Sequence, residues 1–253
     1  MTTKPTYVPG HALLAGKGVL ITAAAGTGIG AATARKCVEE GARVVISDKH
    51  ERRLAETALE LGVHGIACDV TNEDDVQRLV REAAIHLGGI DILVNNAGLG
   101  GSAQVHEMTD EQWSVVLDVT LTGTFRMTRA MLNHMYPRGS GVIVNNSSVL
   151  GWRAQVEQAH YAAAKAGVMA LTRATAMEAA AHGVRVNAVA PSLAMHAFLA
   201  KVTNDELLDA LAQREAFGRP AEPWEIANVI VFLASDYSSY MTGEVVSVSS
   251  QHA

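Results

Sequence analysis

Gly18-Val-Leu-Ile-Thr22-Ala-Ala-Ala-Gly26-Thr27-Gly28-Ile29-Gly30 is the stretch whose reading decides the fold. A short apolar run stops at a glycine-rich turn, and helix-forming residues follow. Strand, turn and helix in that order open a βαβ unit. Glycines let the backbone approach a pyrophosphate, and the helix N-terminus offers its unpaired N–H groups to the anion. The same turn could serve helix–sheet packing alone, so the surroundings must decide.

The pattern repeats along the chain. Apolar runs at 18–22, 43–47, 65–68, 90–94, 141–145, 185–190 and 244–248 read as strands. Most are continuously apolar, as expected of strands buried on both faces. Helical patterns occupy 29–40, 51–61, 72–87, 109–135, 160–181 and 222–234. Capping signals mark three starts: Thr71-x-x-Asp74, Thr109-x-x-Gln112 and Thr203-x-x-Glu206. Strands alternating with helices predict an α/β fold, a Rossmann-type doubly wound parallel sheet of about seven strands with helices on both faces. No linker or repeat interrupts it. The expected organisation is a loose arm over 1–12 and a single domain over 13–253.

Bulk properties narrow the function. The chain has 253 residues, 49% hydrophobic and 18% charged, enough for a sizeable core. A net charge of −6 argues against a nucleic-acid surface. Cys37 and Cys68 are too few for a disulfide framework, and the scattered histidines show no metal-ligand spacing, so no metal is expected. The N-terminus lacks the apolar core of a signal peptide, and no apolar stretch is long enough to span a membrane. The expected location is the cytoplasm.

Two further features carry chemistry. The second strand ends at Asp48, where a carboxylate can bond an adenosine ribose and would repel a 2′-phosphate; NAD is therefore favoured over NADP. Lys49, Arg52 and Arg53 beside it pull the other way. Tyr161 and Lys165 stand at i and i+4, on one helix face. A fixed ammonium lowers a phenol pKa from ~10 and makes the phenol a usable acid or base. Ser148, thirteen residues before the tyrosine, could hold the same substrate oxygen.

Together these features resemble the short-chain dehydrogenase/reductase family, from about Leu14 to Val248. Gly28-Ile29-Gly30 is similar to the end of its cofactor turn, with Thr22, Ala24, Gly26 and Thr27 before it. Asp69-Val70 resembles the pair that lies against adenine. Asn95-Asn96-Ala97-Gly98 resembles the motif after the fourth strand, and Ser147-Ser148 follows the fifth. Asn187-Ala-Val-Ala-Pro191 resembles the segment that flanks the nicotinamide, and the resemblance extends cofactor contacts to Ser192, Leu193 and His196. Gly218-Arg219-Pro220 and Tyr240-Met-Thr-Gly243 match later landmarks.

Several positions depart from the family pattern. Ala24 replaces the first glycine of the turn, which predicts a local bulge. Thr120 replaces the catalytic asparagine whose main-chain carbonyl helps hold a water in the proton relay. Ser192 replaces a glycine, His196 a threonine, and Val248-Ser249-Ser250-Gln251 a Val-Asp-Gly-Gly tail. The set resembles an IpdF-like actinobacterial branch of late steroid-ring (hydrindane-CoA) breakdown.

The resemblance implies a secondary alcohol/ketone oxidoreductase in which Ser148, Tyr161, Lys165 and Thr120 are catalytic. Loops at 99–105, 150–160 and 193–217 select the substrate, with Leu150, Gln155, Met195 and Phe198 added to Ser148 and Tyr161 as contacts. Their apolar character suits a bulky hydroxy or oxo compound. Small and apolar residues on several faces of the helices at 109–135 and 160–181 suit the family's homotetramer. Competing readings are an NADPH-dependent 3-oxoacyl reductase and a catalytically silent dinucleotide sensor. A methyltransferase would leave Tyr161 and Lys165 unexplained, and enoyl reductases of related fold use a longer gap between that pair.

Overall fold

The computed structural model describes residues 6–195 and 210–250. Seven strands make one sheet: β1 (Gly18–Ile21), β2 (Arg43–Asp48), β3 (His64–Ala67), β4 (Ile92–Asn95), β5 (Gly141–Asn146), β6 (Val184–Pro191) and β7 (Val245–Val248). Their order is β3-β2-β1-β4-β5-β6-β7, and every neighbouring pair is parallel. Strand order reverses between β1 and β4, and crevices at such switch points are where sheets of this kind bind ligands.

Alternation along each strand divides the core. Leu20, Val45, Leu93, Ile143 and Val186 face one layer, with Met127, Met131 and Ala176 from the helices. Val19, Ile21, Ile46, Ile92 and Val144 face the other, with Ala34, Ile226 and Ile230. Both faces are covered, which explains the unbroken apolar runs. The helices are α1 (Ile29–Glu39), α2 (Glu51–Leu61), α3 (Glu73–Leu87), α4 (Asp110–Leu117), α5 (Gly123–Met135), α6 (Ala159–Ala179) and α7 (Pro223–Ala234).

Thr109 and Gln112 form the expected reciprocal capping box on α4. The α3 cap falls one residue later than expected: Asn72 accepts from the N–H groups of Asp74 and Asp75, while the Thr71 hydroxyl turns back to Asp69. The Thr203 signal lies outside the described residues. The helix expected over 109–135 is interrupted by a π-helical turn at Asp118–Thr122. Such turns insert one extra residue and recur at functional sites.

The arm is not loose over its described part. Tyr7 donates to Glu39 at 2.5 Å and packs edge-on against Trp224. Lys36 reaches the Val8 carbonyl, and Glu40 accepts from the N–H groups of His11 and Leu13. No helix among the described residues is long and apolar enough to cross a membrane.

Candidate active site

The turn after β1 is built from backbone and open space. Ala23 has φ 49° and Gly26 φ 93°, so the turn passes through two left-handed positions, one of them held by a residue other than glycine. A Cβ on Gly26 or Gly28 would meet nothing within 4 Å, whereas one on Gly30 would lie 2.5 Å from both the Ala23 carbonyl and Asn96 Nδ2. Gly28 caps α1 with no side-chain hydrogen bond, and the first turn carries no acidic residue. The turn thus presents uncapped N–H groups and clear space, which fits a dinucleotide pyrophosphate at Gly26, Thr27, Gly28, Ile29 and Gly30.

Thr22 and Ala24 shape this turn from beneath. Both are buried, and the Thr22 hydroxyl accepts from the N–H groups of Asn96 (3.0 Å) and Ala97 (3.2 Å). Asn96 returns the contact by donating to the Thr22 and Ala23 carbonyls. Asp48 stands at the end of β2; one carboxylate oxygen accepts from His50 N–H at 3.0 Å and the other from Ala25 N–H at 3.3 Å. Thr57, absent from the sequence expectations, accepts from Gly26 N–H at 3.0 Å and ties α2 to the turn. Asp69 holds the Thr71 N–H and hydroxyl, and Val70 packs against Gly123.

The C-terminal edge brings Ser148, Tyr161, Lys165 and Thr120 together. Ser148 follows β5 in extended backbone and caps a short turn, accepting from Leu150 N–H at 3.2 Å. Ser147 donates to the Lys165 carbonyl at 2.9 Å and clamps α6 to β5. Lys165 donates to the Asn146 carbonyl at 2.6 Å, with its Nζ 5.5 Å from the Tyr161 ring centre. A Cβ on Gly98 would stand 3.3 Å from Lys165 Nζ, so the Asn96–Gly98 turn forms the floor of the same site.

The electrostatics correct one expectation. Burial pushes the Tyr161 phenol up to about 12, and the hydrogen bond from Ser148 only partly opposes it. Burial brings Lys165 down to about 8. In this site desolvation outweighs the ammonium effect expected from the i, i+4 spacing, because both groups leave water together. The phenol stays protonated at neutral pH.

Thr120 lies fully buried in the π turn. Its hydroxyl accepts from Leu99 N–H at 3.0 Å and donates to the Leu99 carbonyl at 3.3 Å. A hydroxyl is both donor and acceptor, so one threonine satisfies both backbone groups of Leu99. Its carbonyl accepts the Thr124 hydroxyl at 2.8 Å, a partner the sequence reading did not include. Nor did that reading include the polar ladder beneath the floor: Asn95 donates to Thr128 and Asn145, and Asn145 donates to Thr172. Asparagines inside apolar strands were the available signal.

The substrate loops at 99–105 and 150–160 are stapled together. Ser102 donates to Glu157, Gln158 to the Gly101 carbonyl at 2.7 Å, and Ala103 N–H to the Glu157 carbonyl at 3.1 Å. A cavity of about 400 Å³ beside them is lined by Gln104, Val105, His106, Gln155 and Val156, among others. Leu150, Met195, Ser192 and Leu193 are partly buried on this side, and Pro191 is buried at the end of β6. His160 is buried beneath Gly101, which makes it a packing residue. His196 and Phe198 lie outside the described residues.

A switch-point crevice with an anion-binding turn and a Tyr–Lys–Ser set defines a nicotinamide-dinucleotide oxidoreductase of Rossmann type. The family model described as enoyl-(acyl carrier protein) reductase matches residues 23–250. The chain belongs to the short-chain dehydrogenase/reductase family. It is 61% identical to the (5R,7aS)-5-hydroxy-7a-methyl-1-oxo-2,3,5,6,7,7a-hexahydro-1H-indene-carboxyl-CoA reductase of Mycobacterium tuberculosis, covering 100% of this chain and 99% of the relative. It is 42% identical to the cis-4-hydroxycyclohexanecarboxylate dehydrogenase of Sinomonas cyclohexanicum, over 91% of this chain and 94% of that one. A crystal structure of a short chain dehydrogenase from Mycobacterium smegmatis superposes with a TM-score of 0.89 at 56% identity, covering 99% of both chains.

Proposed function

We propose that this protein interconverts a secondary alcohol and a ketone on a bulky fused-ring acyl-CoA, of the kind formed late in steroid-ring breakdown, and that it uses NAD. The observation that carries the substrate class is the full-length 61% identity to a reductase named for such a bicyclic CoA thioester. A second relative is named for a ring alcohol bearing a carboxylate. When bound, the dinucleotide supplies or takes the hydride. The residues of the chain do the rest. Gly26–Gly30 hold the pyrophosphate, Asp48 the adenosine ribose, and Asp69 and Val70 lie against adenine. Lys165 holds the nicotinamide ribose, and Asn96–Gly98, Pro191, Ser192, Leu193 and His196 line the nicotinamide end. Ser148 orients the substrate oxygen. Tyr161 donates its proton to that oxygen in reduction and takes it back in oxidation, and a protonated phenol suits the reductive direction. The Thr120 carbonyl supports the proton relay through backbone.

Leu150, Gln155, Met195 and Phe198 form the substrate side. Trp113, Phe125 and Met177 remain exposed on α4, α5 and α6, consistent with a homotetramer built on these helices. The same catalytic set would serve a 3-oxoacyl reductase, but the Asp48 carboxylate disfavours NADPH. A silent sensor has no need of Ser148, Tyr161 and Lys165 in one cluster.

The test is reduced-nicotinamide absorbance with fused-ring ketone CoA thioesters, cyclic alcohols and linear 3-oxoacyl thioesters, each with both dinucleotides. Turnover should be highest on the fused-ring thioester with NAD(H). Preference for linear 3-oxoacyl substrates with NADPH would overturn the reading. Asp48→Ala should raise the use of NADP relative to NAD by about tenfold, since one unit charge near a phosphate costs ~1–4 kcal/mol in wet surroundings.

A further inference from the structure

Glu215 is almost fully buried, at 3% exposure, in the short turn that precedes Gly218. Among the described residues its carboxylate gathers three donors from separate parts of the chain. Ser192 donates its hydroxyl to Oε2 at 3.0 Å, Ser250 donates its hydroxyl to the same oxygen at 2.9 Å, and Leu193 N–H donates to Oε1 at 3.3 Å. Ser192 and Leu193 leave the end of β6, and Ser250 leaves the end of β7. Backbone bonds draw the same pieces together: Ser192 N–H to the Val248 carbonyl, Ala216 N–H to the Ser250 carbonyl, Ala221 N–H to the Leu193 carbonyl and Met195 N–H to the Ala221 carbonyl. The described chain at Ser192–Met195, at Glu215–Ala221 and at Ser250 is therefore drawn together around one carboxylate.

A carboxylate is an acceptor with about four lone-pair sites, and three convergent donors suit it. An apolar residue could fill the volume but would take the acceptor from two partly buried hydroxyls and an N–H. Ser192 and Ser250 are also two of the positions where this sequence departs from its family. The structure joins both departures to a third residue that motif reading passed over.

We propose that Glu215 is a positioning residue for hydride transfer: its carboxylate sets Pro191–Leu193 against the nicotinamide end. This rests on the reading of that edge as the nicotinamide site. Glu215 touches no reacting atom; it acts through Ser192 and Leu193.

The test is a mutant cycle on the full-length enzyme, with Glu215→Leu, Glu215→Gln, Ser192→Ala and Ser250→Ala, singly and paired. Readouts are kcat, substrate KM, the primary isotope effect with 4-deuterated NADH, dinucleotide Kd and Tm. Glu215→Leu should lower kcat by about tenfold or more and change the isotope effect, while dinucleotide Kd shifts less than about twofold, because the pyrophosphate is held elsewhere. Glu215→Gln should fall between, since it keeps one acceptor oxygen. In the Glu215→Leu background, Ser192→Ala should add almost nothing to its effect on kcat, although alone it costs several-fold; groups sharing one network are not additive.

If Glu215→Leu lowers Tm alone and leaves kcat, KM and the isotope effect unchanged, the proposal fails and the residue is structural only. Where Glu215→Leu does not fold, Ser192→Ala and Ser250→Ala decide: additive effects on kcat in the pair overturn the latch. A wild-type chain without turnover would sink the reading of the reaction and not the latch, and the same cycle read by nicotinamide fluorescence of bound NADH then decides it, with additivity again overturning the latch.

Discussion

The turn after β1 and the segment after β6 lie at one edge of the sheet and are held in different ways. The first rests mainly on backbone: Ala23 and Gly26 take positive φ, Gly30 lets two pieces of chain touch, and its contacts are spread over the β4 turn and the Asp48 and Thr57 side chains. The second depends on a distant side chain, with Glu215 lying 22 or 23 residues beyond the groups it binds after β6. Both segments depart from the family pattern. A turn built on backbone absorbs its departure by bending, whereas one held by a side chain needs a compensating partner elsewhere.

Gly30 is where the first turn has least room. Gly30→Ala places a Cβ 2.5 Å from a carbonyl oxygen and an amide nitrogen, closer than real contacts allow. Overpacking of this kind costs ~1–3 kcal/mol. Dinucleotide affinity should fall about tenfold or more by titration, with the sheet still folded by circular dichroism. Unchanged affinity would show that the turn is not a fixed cradle.

Thr120→Val tests the side-chain contacts of the π turn. The change keeps the shape and deletes the hydroxyl, so both backbone groups of Leu99 lose their partner. Leaving buried polar groups unpaired costs ~1–3 kcal/mol, readable as a lower urea midpoint. Thr120→Ser should recover most of the loss. Equal stability of valine and wild type would show that the Leu99 contacts carry no energy.

A smaller effect lies in the pH dependence of stability. Burial takes Lys165 from 10.5 down to about 8. Above pH 8 the folded chain has released a proton that the unfolded chain still holds, so this group makes stability rise with pH. Cys37 and Cys68, raised by burial from 9.0 to about 12, act oppositely above pH 9, as does Tyr161 above pH 10. Between pH 8 and 9 the wild type should therefore gain Tm relative to Lys165→Met. Parallel curves would contradict the buried, easily discharged lysine.

The sheet was legible because its strands are continuously apolar and alternate with helical patterns, one of which, α4, starts at the expected cap. Gly28, Gly30, Asp48, Ser148, Tyr161 and Lys165 were legible because each is a residue type with a mechanical or chemical reason for its place. The π turn was not, since one inserted residue leaves the apolar pattern of 109–135 nearly intact. Glu215 was hidden because a glutamate in a polar turn looks solvated until the chain folds three donors around it. The direction of the Tyr161 shift was hidden too: spacing reveals the lysine neighbour but not how completely both groups leave water.

In the proposed reaction Tyr161 passes the proton while the dinucleotide passes the hydride, on a fused-ring ketone. Single-turnover oxidation of bound NADH by the fused-ring oxo-CoA thioester, wild type beside Tyr161→Phe, tests it most directly. Loss of a positioned proton donor should slow the step by about 10²–10⁴-fold while NADH binds as before. A Tyr161→Phe enzyme that oxidises NADH at the wild-type rate would contradict the account.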